Sequence, residues 1–229
     1  MYVRFILLLE AVIIVLGGGA LRSQAQQTAP ATRAVAGNAQ WVCSEKAFPM
    51  KPFNGHDGPL VFSPDFSRVA LKACDPNWRS NQVIVDGKEG PVYDSVGSVV
   101  FSPDSKHVAY GASAGDQHFL VFDGKEGPRF GSDVLTVVFS PDSRRWAYEG
   151  GTYVLLDGKK LGSYEYVQTD SLVFSPDSTH FAYWADDKGK TSLYLDGKSV
   201  DTSDEPILFS TRFLPNSKGL CYAFKRGGK

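Results

Sequence analysis

One eleven-residue pattern recurs along this chain and limits its fold more than any other feature. Four copies contain V-F-S-P-D and a fifth is degraded: VFSPDFSRVAL (61–71), VFSPDSKHVAY (100–110), VFSPDSRRWAY (138–148), VFSPDSTHFAY (173–183) and RFLPNSKGLCY (212–222). Their shared phenylalanines are 39, 38, 35 and 39 residues apart, at Phe62, Phe101, Phe139, Phe174 and Phe213. Self-similarity at such a period predicts one structural unit that is repeated along the chain.

Each complete unit divides into four short strands. The apolar run that ends at the phenylalanine is strand A, and Ser-Pro-Asp is a tight turn into strand B. A β-rich run then forms strand C, and Asp-Gly makes the hairpin turn into strand D, in VIVDGKEGP, LVFDGKEGP, VLLDGKKLG and LYLDGKSVD. This pattern predicts an all-β fold, a β-propeller of four-stranded antiparallel blades, with about five blades: four complete repeats and a partial fifth.

The repeat resembles the WD40-like β-propeller repeat of the TolB-type family, which also occurs in prolyl-oligopeptidase-type enzymes. The resemblance rests on the F-S-P-D turns and covers residues 60–224. Where that family usually has glycine after S-P-D, this chain has Phe66, Ser105, Ser143, Ser178 and Ser217. The α/β and hydrolase domains that accompany such propellers have no room in 229 residues. The resemblance therefore implies a fold and not an activity.

Closure of the ring depends on the fifth unit, which ends after strand B near Tyr222. Residues 41–60 would have to supply its missing strands, and a five-bladed ring closed in this way is our first expectation. The alternatives are an open four-blade fragment or a dimer that completes the ring. A monomer or a ring-completing dimer is expected accordingly.

The N-terminal residues have the form of an export signal. A basic start at Arg4 precedes an apolar run, and Ser23-Gln24-Ala25 matches a signal-peptidase site. We predict a signal peptide at 1–25, a flexible linker at 26–40 and the β-propeller domain at 41–229, in an exported protein of the periplasm or the extracellular space. The apolar run is short for a membrane span, although an uncleaved anchor is the alternative. No stable membrane insertion is expected after cleavage.

Charge and residue spacing exclude several classes of ligand. The formal net charge is −1 and no basic stripe is present, so no nucleic acid partner is expected. His107 and His180 occupy the repeat position of Arg68 and Arg145, which indicates exposed polar turn residues rather than metal ligands. We predict no metal and no cofactor.

Gly111-Ala-Ser113-Ala-Gly115 matches the G-x-S-x-G spelling of a serine-hydrolase nucleophile elbow. An elbow requires a helix after its serine, whereas the strand-like run HFLVF follows here. Ser113 is therefore predicted to be a residue of the B–C loop, and no catalytic residue is assigned. A hydrolase or lyase site at the propeller axis needs no local motif and stays an alternative. A propeller fragment of a larger TolB-like or peptidase-like protein is another.

The chain has three cysteines. Cys221 aligns with alanines that pack between strands, which predicts a buried free thiol. An exported protein can form disulfides, so Cys43–Cys74 is the candidate pair.

The two ends of the blades differ in sequence. A–B and C–D turns lie at one end, the turn face, whereas B–C loops and D–A connections form the other, the loop face. The loop face has the variable sequence, in which twelve acidic residues, Glu149 among them, outnumber three basic ones. This loop face predicts a non-enzymatic scaffold that binds a protein or peptide, with a basic partner as one candidate. The predicted binding residues are Asp75, Trp78, Arg79, Tyr93, Phe130, Tyr164, Tyr166, Trp184, Asp186, Asp187, Asp204 and Glu205. The alternative is that the acids serve solubility and the aromatic residues fill gaps between blades.

Overall fold

The structure is a computed structural model in which every regular element of the described residues is a β-strand. It describes residues 2–8, 11–16, 44–49, 56–77, 79–131, 134, 136–150, 152–203 and 205–225. A search of this part of the chain for a helix of sufficient length and apolarity to span a membrane found none. The predicted all-β class is confirmed.

A small sheet stands first in chain order. In it β1 (Tyr2–Leu8) pairs antiparallel with both β2 (Ala11–Leu16) and β3 (Ser44–Pro49). The first two strands lie within the predicted signal peptide, whose cleavage stays a prediction. The predicted linker, 26–40, lies outside the described residues.

Four antiparallel sheets follow, each with its strands in sequence order, as the repeat predicts. The first blade contains β4 (His56–Phe62), β5 (Val69–Cys74), β6 (Asn81–Val85) and β7 (Lys88–Tyr93). The second contains β8 (Ser95–Phe101), β9 (Val108–Ala114), β10 (Gln117–Phe122) and β11 (Lys125–Glu126). The third contains β12 (Thr136–Phe139), β13 (Trp146–Glu149), β14 (Tyr153–Leu156) and β15 (Lys159–Ser163).

In the fourth blade, strand A is interrupted. It consists of β16 (Tyr166–Val167) and β17 (Val173–Phe174), which both pair with β18 (Phe181–Asp187). The blade continues with β19 (Lys190–Leu195) and β20 (Lys198–Ser203). The fifth unit contains a two-stranded sheet of β21 (Glu205–Phe213) and β22 (Leu220–Lys225).

Ring closure is not confirmed by the described strands. Within 41–60, β3 pairs with β1, and the residues from His56 onward belong to strand A of the first blade. Neither segment pairs with β22 in the described sheets. A count of five blades and a closed ring therefore stay predictions.

The hydrophobic core lies between successive blades. One cluster joins Val83 of the first blade to Phe119 of the second. Another joins Leu120 to Tyr148, and a third joins Val154 to Phe181. Strand B brings a fully buried alanine to each complete blade, at Ala70, Ala109, Ala147 and Ala182. Such small residues allow neighbouring sheets to approach closely, and the apolar area buried there is the main stabilising contribution.

Hydrogen bonds between adjacent A–B turns also join the blades. The residue after S-P-D has a positive φ in all five units, between 56° at Phe66 and 65° at Ser178, which explains the glycine usual at this position. From the second unit onward it is serine, and its Oγ accepts the backbone N–H of the preceding blade's aspartate. The four N···O distances, at Ser105, Ser143, Ser178 and Ser217, are 2.9–3.1 Å. Serine thus adds a contact that glycine could not make.

Candidate functional site

The S-P-D turns form a repeated network on the turn face. The first serine of each turn is buried, and its Oγ donates to the aspartate of the same turn at 2.6–2.8 Å, in Ser63, Ser102, Ser140 and Ser175. The same Oγ accepts the backbone N–H five residues later. These contacts fit the prediction that Asp65, Asp104, Asp142 and Asp177 are turn residues.

Hydrogen bonds to these carboxylates stabilise their charged form. The bond from Ser102 is the main cause that lowers the pKa of Asp104 to about 2, and the bond from Ser140 lowers the pKa of Asp142. The pKa of Asp65 and that of Asp177 are also lowered, chiefly by hydrogen bonds from Ser67 and Ser175 respectively. Four aspartates therefore stay negatively charged on this face well into the acid range.

These lowered pKa values predict a loss of stability in acid. An aspartate with a lowered folded-state pKa stabilises the fold above its unfolded value of 3.8, and this contribution is lost as the pH falls towards 2. We expect the free energy of unfolding, measured by urea denaturation, to decrease over this interval. A variant with Asp104→Asn and Asp142→Asn should show a shallower decrease, since an amide does not titrate in this range. An unchanged slope would contradict this prediction.

The Asp-Gly turns add a second repeated contact. One carboxylate oxygen accepts the first backbone N–H of strand B at 2.9–3.1 Å, in Asp86, Asp123, Asp157 and Asp196. The other carboxylate oxygen contacts the side chain of the residue just before strand B. That residue is alternately arginine and histidine along the chain: Arg68, His107, Arg145 and His180. Each histidine thus contacts the aspartate of the Asp-Gly turn in its own blade, which agrees with the prediction that His107 and His180 are polar turn residues. Grooves of about 600 and 410 Å3 lie between blades on this face.

The loop face has tighter connections than predicted. Strands β9 and β18 extend to Ala114 and Asp187, so the B–C connections there are two-residue turns. Lys188 and Gly189 both have positive φ, which is typical of a tight hairpin. In these two B–C connections, residues 111–114 and 184–187 are therefore strand residues and not loop residues.

Ser113 is one such residue. It lies in β9 and is buried, and its hydroxyl is 2.8 Å from that of Ser95. The prediction of a turn residue is wrong, because the strand pairing continues as far as Ala114. The next element is strand β10, as predicted, and not the helix that a nucleophile elbow requires.

Two of the predicted aromatic contact residues are buried. Trp184 is 1% exposed, and Tyr93 is 4% exposed and packs edge-on against Tyr110 and Phe119. Burial raises the pKa of Tyr93 to about 12. Their assignment to the surface is corrected, because strand alternation turns both side chains between the blades. This placement matches the gap-filling alternative.

The other predicted aromatic residues differ in exposure. Phe130 and Tyr164 are half-buried: the ring of Phe130 lies 4.2 Å from that of Tyr153, and the Tyr164 hydroxyl lies 2.6 Å from that of Tyr183. Tyr166 is 42% exposed and is the one large exposed aromatic residue among the residues that the structure describes. Trp78 lies outside the described residues.

The acidic residues are also placed differently from one another. Glu149 is fully buried in β13, so it is not one of the surface acids that the sequence predicts for the loop face. Asp75 is half-buried and accepts the backbone N–H groups of Arg79 and Ser80, so it shapes its own turn, whereas Arg79 is exposed. Asp204 lies outside the described residues, and Glu205 begins β21.

Four acidic residues and Tyr166 lie in one region of the fourth blade, Glu165 and Asp170 exposed and Asp186 and Asp187 half-buried. Tyr166 pairs with Asp186 across the sheet, and the backbone N–H of Glu165 donates to the Asp186 carbonyl at 2.8 Å. Asp187 follows in β18, and Asp170 lies in the connection between β16 and β17. We call these five residues, Glu165, Tyr166, Asp170, Asp186 and Asp187, the acidic corner.

The described cysteines are Cys74 and Cys221, and both are free. Cys74 is buried, and its thiol donates to Asn81 Oδ1 at 2.9 Å. Cys43 lies outside the described residues, so the pair Cys43–Cys74 stays a prediction. The prediction of a buried Cys221 is wrong. The thiol is exposed because no strand C is described beside β22, whereas the matching alanines are covered by complete blades.

Comparisons with known proteins support the fold alone. No protein-family model and no curated protein matches the chain. A solved structure of the eukaryotic initiation factor is similar with a TM-score of 0.54 and 13% identity, over 75% of this chain and 48% of that one. The Cps50 (Swd1) β-propeller domain of Myceliophteria thermophila has a TM-score of 0.46 and 14% identity, over 74% and 62%. The Dos1 propeller has 0.47 and 9%, over 78% and 55%.

The four-stranded antiparallel blades are those that the β-propeller repeat predicts, and the first similarity indicates that a solved structure shares this arrangement of sheets. The chain spans about half the length of the initiation-factor structure that it matches. At 13% identity the similarity extends to the fold and not to ligands. The finer TolB-type assignment stays a prediction.

Proposed function

We propose that this protein is an exported, non-enzymatic scaffold that binds a basic protein or peptide through its loop face. The observation that carries the proposal is the acidic corner, which brings an exposed tyrosine and four acidic residues, two of them exposed and two half-buried, to one region of the fourth blade. Aromatic residues are frequent anchors of protein interfaces, and a local excess of one charge attracts partners of the opposite charge.

The charge balance of the wider loop face supports a basic partner. Eight acidic residues whose side-chain exposure the structure describes remain there: Asp75, Asp94, Asp116, Glu165, Asp170, Asp186, Asp187 and Asp201. Three basic residues oppose them: Arg79, Lys188 and Lys190. The carboxylates are held in place in part by backbone N–H groups, such as that of Gly115 on Asp94 at 2.6 Å. An acidic surface that is already ordered loses less entropy on binding.

Neutralising the acidic corner should weaken the binding of a basic peptide. We expect Glu165→Gln with Asp187→Asn to raise the Kd for fluorescein-labelled octalysine about fivefold, because surface charge pairs contribute up to about 1 kcal/mol. Fluorescence anisotropy at low and high salt measures this effect.

Mass spectrometry of the exported protein tests cleavage of the predicted signal peptide, since a chain cut after Ala25 begins at Gln26.

The matched control removes two negative charges elsewhere. Glu89→Gln with Glu126→Gln alters exposed residues in β7 and β11 and should leave the Kd within twofold of the unmodified protein. Equal weakening by both double variants would refute a local site at the acidic corner. Octalysine binding that is independent of salt would refute the electrostatic mechanism.

A further inference from the structure

The larger turn-face groove lies between the second and third blades and has a volume of about 600 Å3. Its wall includes Phe122 and Trp146, whose ring centroids are 4.8 Å apart. Both rings are half-buried. At the same two repeat positions, the preceding blade junction has Val85 and Val108. This junction therefore combines an open groove with a pair of aromatic rings.

The junctions on either side are crossed by an arginine. From the first blade, Arg68 donates through Nη1 to the Lys106 carbonyl of the second blade at 2.5 Å, and its guanidinium lies 5.4 Å from the Phe101 ring centroid. From the third blade, Arg145 donates to the Thr179 carbonyl at 3.3 Å and lies 5.8 Å from the Phe174 ring. Both arginines are also paired with the Asp-Gly aspartate of their own blade.

The second blade has His107 at this position. The imidazole lies 2.7 Å from Asp123 Oδ2 and 5.2 Å from the Phe122 ring, so it contacts its own blade. The corresponding groups of the third blade are the Arg144 carbonyl and the Phe139 ring. Within the described part of the chain, no cationic side chain lies over Phe139 or crosses to that carbonyl. His107 thus contacts its own blade where Arg68 and Arg145 cross to the next one, and the Phe139 ring packs against Phe122 at 5.9 Å.

We propose that the groove between the second and third blades binds an arginine side chain of a protein or peptide partner. The guanidinium would take the three kinds of contact that Arg68 and Arg145 make within the chain: a backbone carbonyl, a carboxylate and an aromatic ring. A planar guanidinium stacks flat on a ring and presents its N–H groups in a fixed fork, whereas an ammonium group is a compact, more strongly hydrated point charge. The site therefore selects arginine over lysine.

The charges around the groove permit this ligand. Asp104 and Asp142 line it, and both are charged at neutral pH. Lys106 and Arg144 also line it and oppose a cation. Lys106 Nζ lies 3.4 Å from Asp104 Oδ2, which offsets part of its charge. Lys106 also borders the junction that Arg68 crosses, so a basic neighbour is compatible with a bound guanidinium.

The fourth blade offers an internal control. His180 has the same repeat position and contacts Asp196 at 2.7 Å, but its ring is stacked on Phe213 of the next unit at 6.5 Å. The histidine itself covers the ring that corresponds to Phe139. The substitution His180→Arg should therefore have no effect on a ligand bound between the second and third blades.

The test uses fluorescein-labelled octaarginine, octalysine and octacitrulline with the full chain that has Glu165→Gln and Asp187→Asn. These two substitutions weaken peptide binding at the loop face. A failure of the loop-face proposal can therefore be distinguished from a failure of the groove proposal. We expect octaarginine to bind at least fivefold more tightly than the other two peptides. Adding His107→Arg, which supplies the chain's own guanidinium, should remove this preference, whereas His180→Arg should retain it.

A second variant covers the case in which His107→Arg disturbs folding. Trp146→Leu removes one aromatic wall, and the fifth unit already has a leucine, Leu220, at this repeat position. It should lower octaarginine affinity at least threefold with an unchanged circular dichroism spectrum. Equal binding of octaarginine and octalysine, or equal effects of His107→Arg and His180→Arg, would overturn the proposal.

Discussion

Replacing Trp184 by alanine should lower the free energy of unfolding by about 3–5 kcal/mol, as expected for a large aromatic side chain removed from a core. Trp184 is 1% exposed, and its Nε1 donates to Thr211 Oγ1 at 2.7 Å. The ring also packs edge-on against Tyr222 at 5.7 Å. Since Thr211 and Tyr222 belong to the fifth unit, the substitution weakens the contact between that unit and the fourth blade. Urea denaturation measures the loss.

Trp184→Phe distinguishes the loss of buried volume from the loss of the hydrogen bond at this position, and Val200→Ala serves as the surface control. Trp184→Phe keeps a ring but leaves the buried Thr211 hydroxyl without its donor, so we expect a smaller loss of about 1–3 kcal/mol. Val200→Ala, at a side chain that is 53% exposed, should change stability by about 0.5 kcal/mol or less. A loss below about 1 kcal/mol for Trp184→Ala would show that the fifth unit does not pack on the fourth blade as described.

Replacing Ser140 by alanine should cost about 2–3 kcal/mol, because it removes both halves of an S-P-D turn contact. Ser140 is fully buried. Its Oγ donates to Asp142 Oδ1 at 2.7 Å and accepts the backbone N–H of Arg145 at 3.0 Å. Without the hydroxyl that N–H group loses its acceptor. Differential scanning calorimetry should show a lower Tm for the variant.

Ser199→Ala is the matched control, because Ser199 is an exposed residue of β20. This change should leave the Tm nearly unaltered. If both serine variants had the same Tm, the hydroxyl of Ser140 would contribute nothing to stability, which would contradict a stabilising role for the S-P-D network.

The turn face was largely predictable from local sequence. Proline presets φ, short polar side chains bond to nearby backbone groups, and Asp-Gly allows two positive φ values, so a few adjacent residues are sufficient to define each turn. The four complete blades follow, because strands joined by tight turns pair with their chain neighbours. The cross-blade contact of Ser143 with Asp104 was not predicted, since its partners are 39 residues apart in different blades.

The loop face was predicted less well, because its strand ends depend on pairing with distant residues. Trp184, Tyr93 and Glu149 were assigned to the surface, yet all three are buried. Composition cannot distinguish an exposed aromatic residue beside a turn from a buried one at the end of a long strand. Tyr166 remains exposed where Trp184 does not, and only packing against a neighbouring blade decides between them.

The amino-acid sequence alone specifies the repeating strand order and the turn geometry, since both arise from interactions within about five residues. Tertiary structure decides which side chains lie between blades, why Cys221 is exposed while its aligned alanines are buried, and why a groove opens beside His107. The physical reason is the same in each case. Burial and cavities arise from the match between two blade surfaces, and each surface is built from residues that are far apart in the chain.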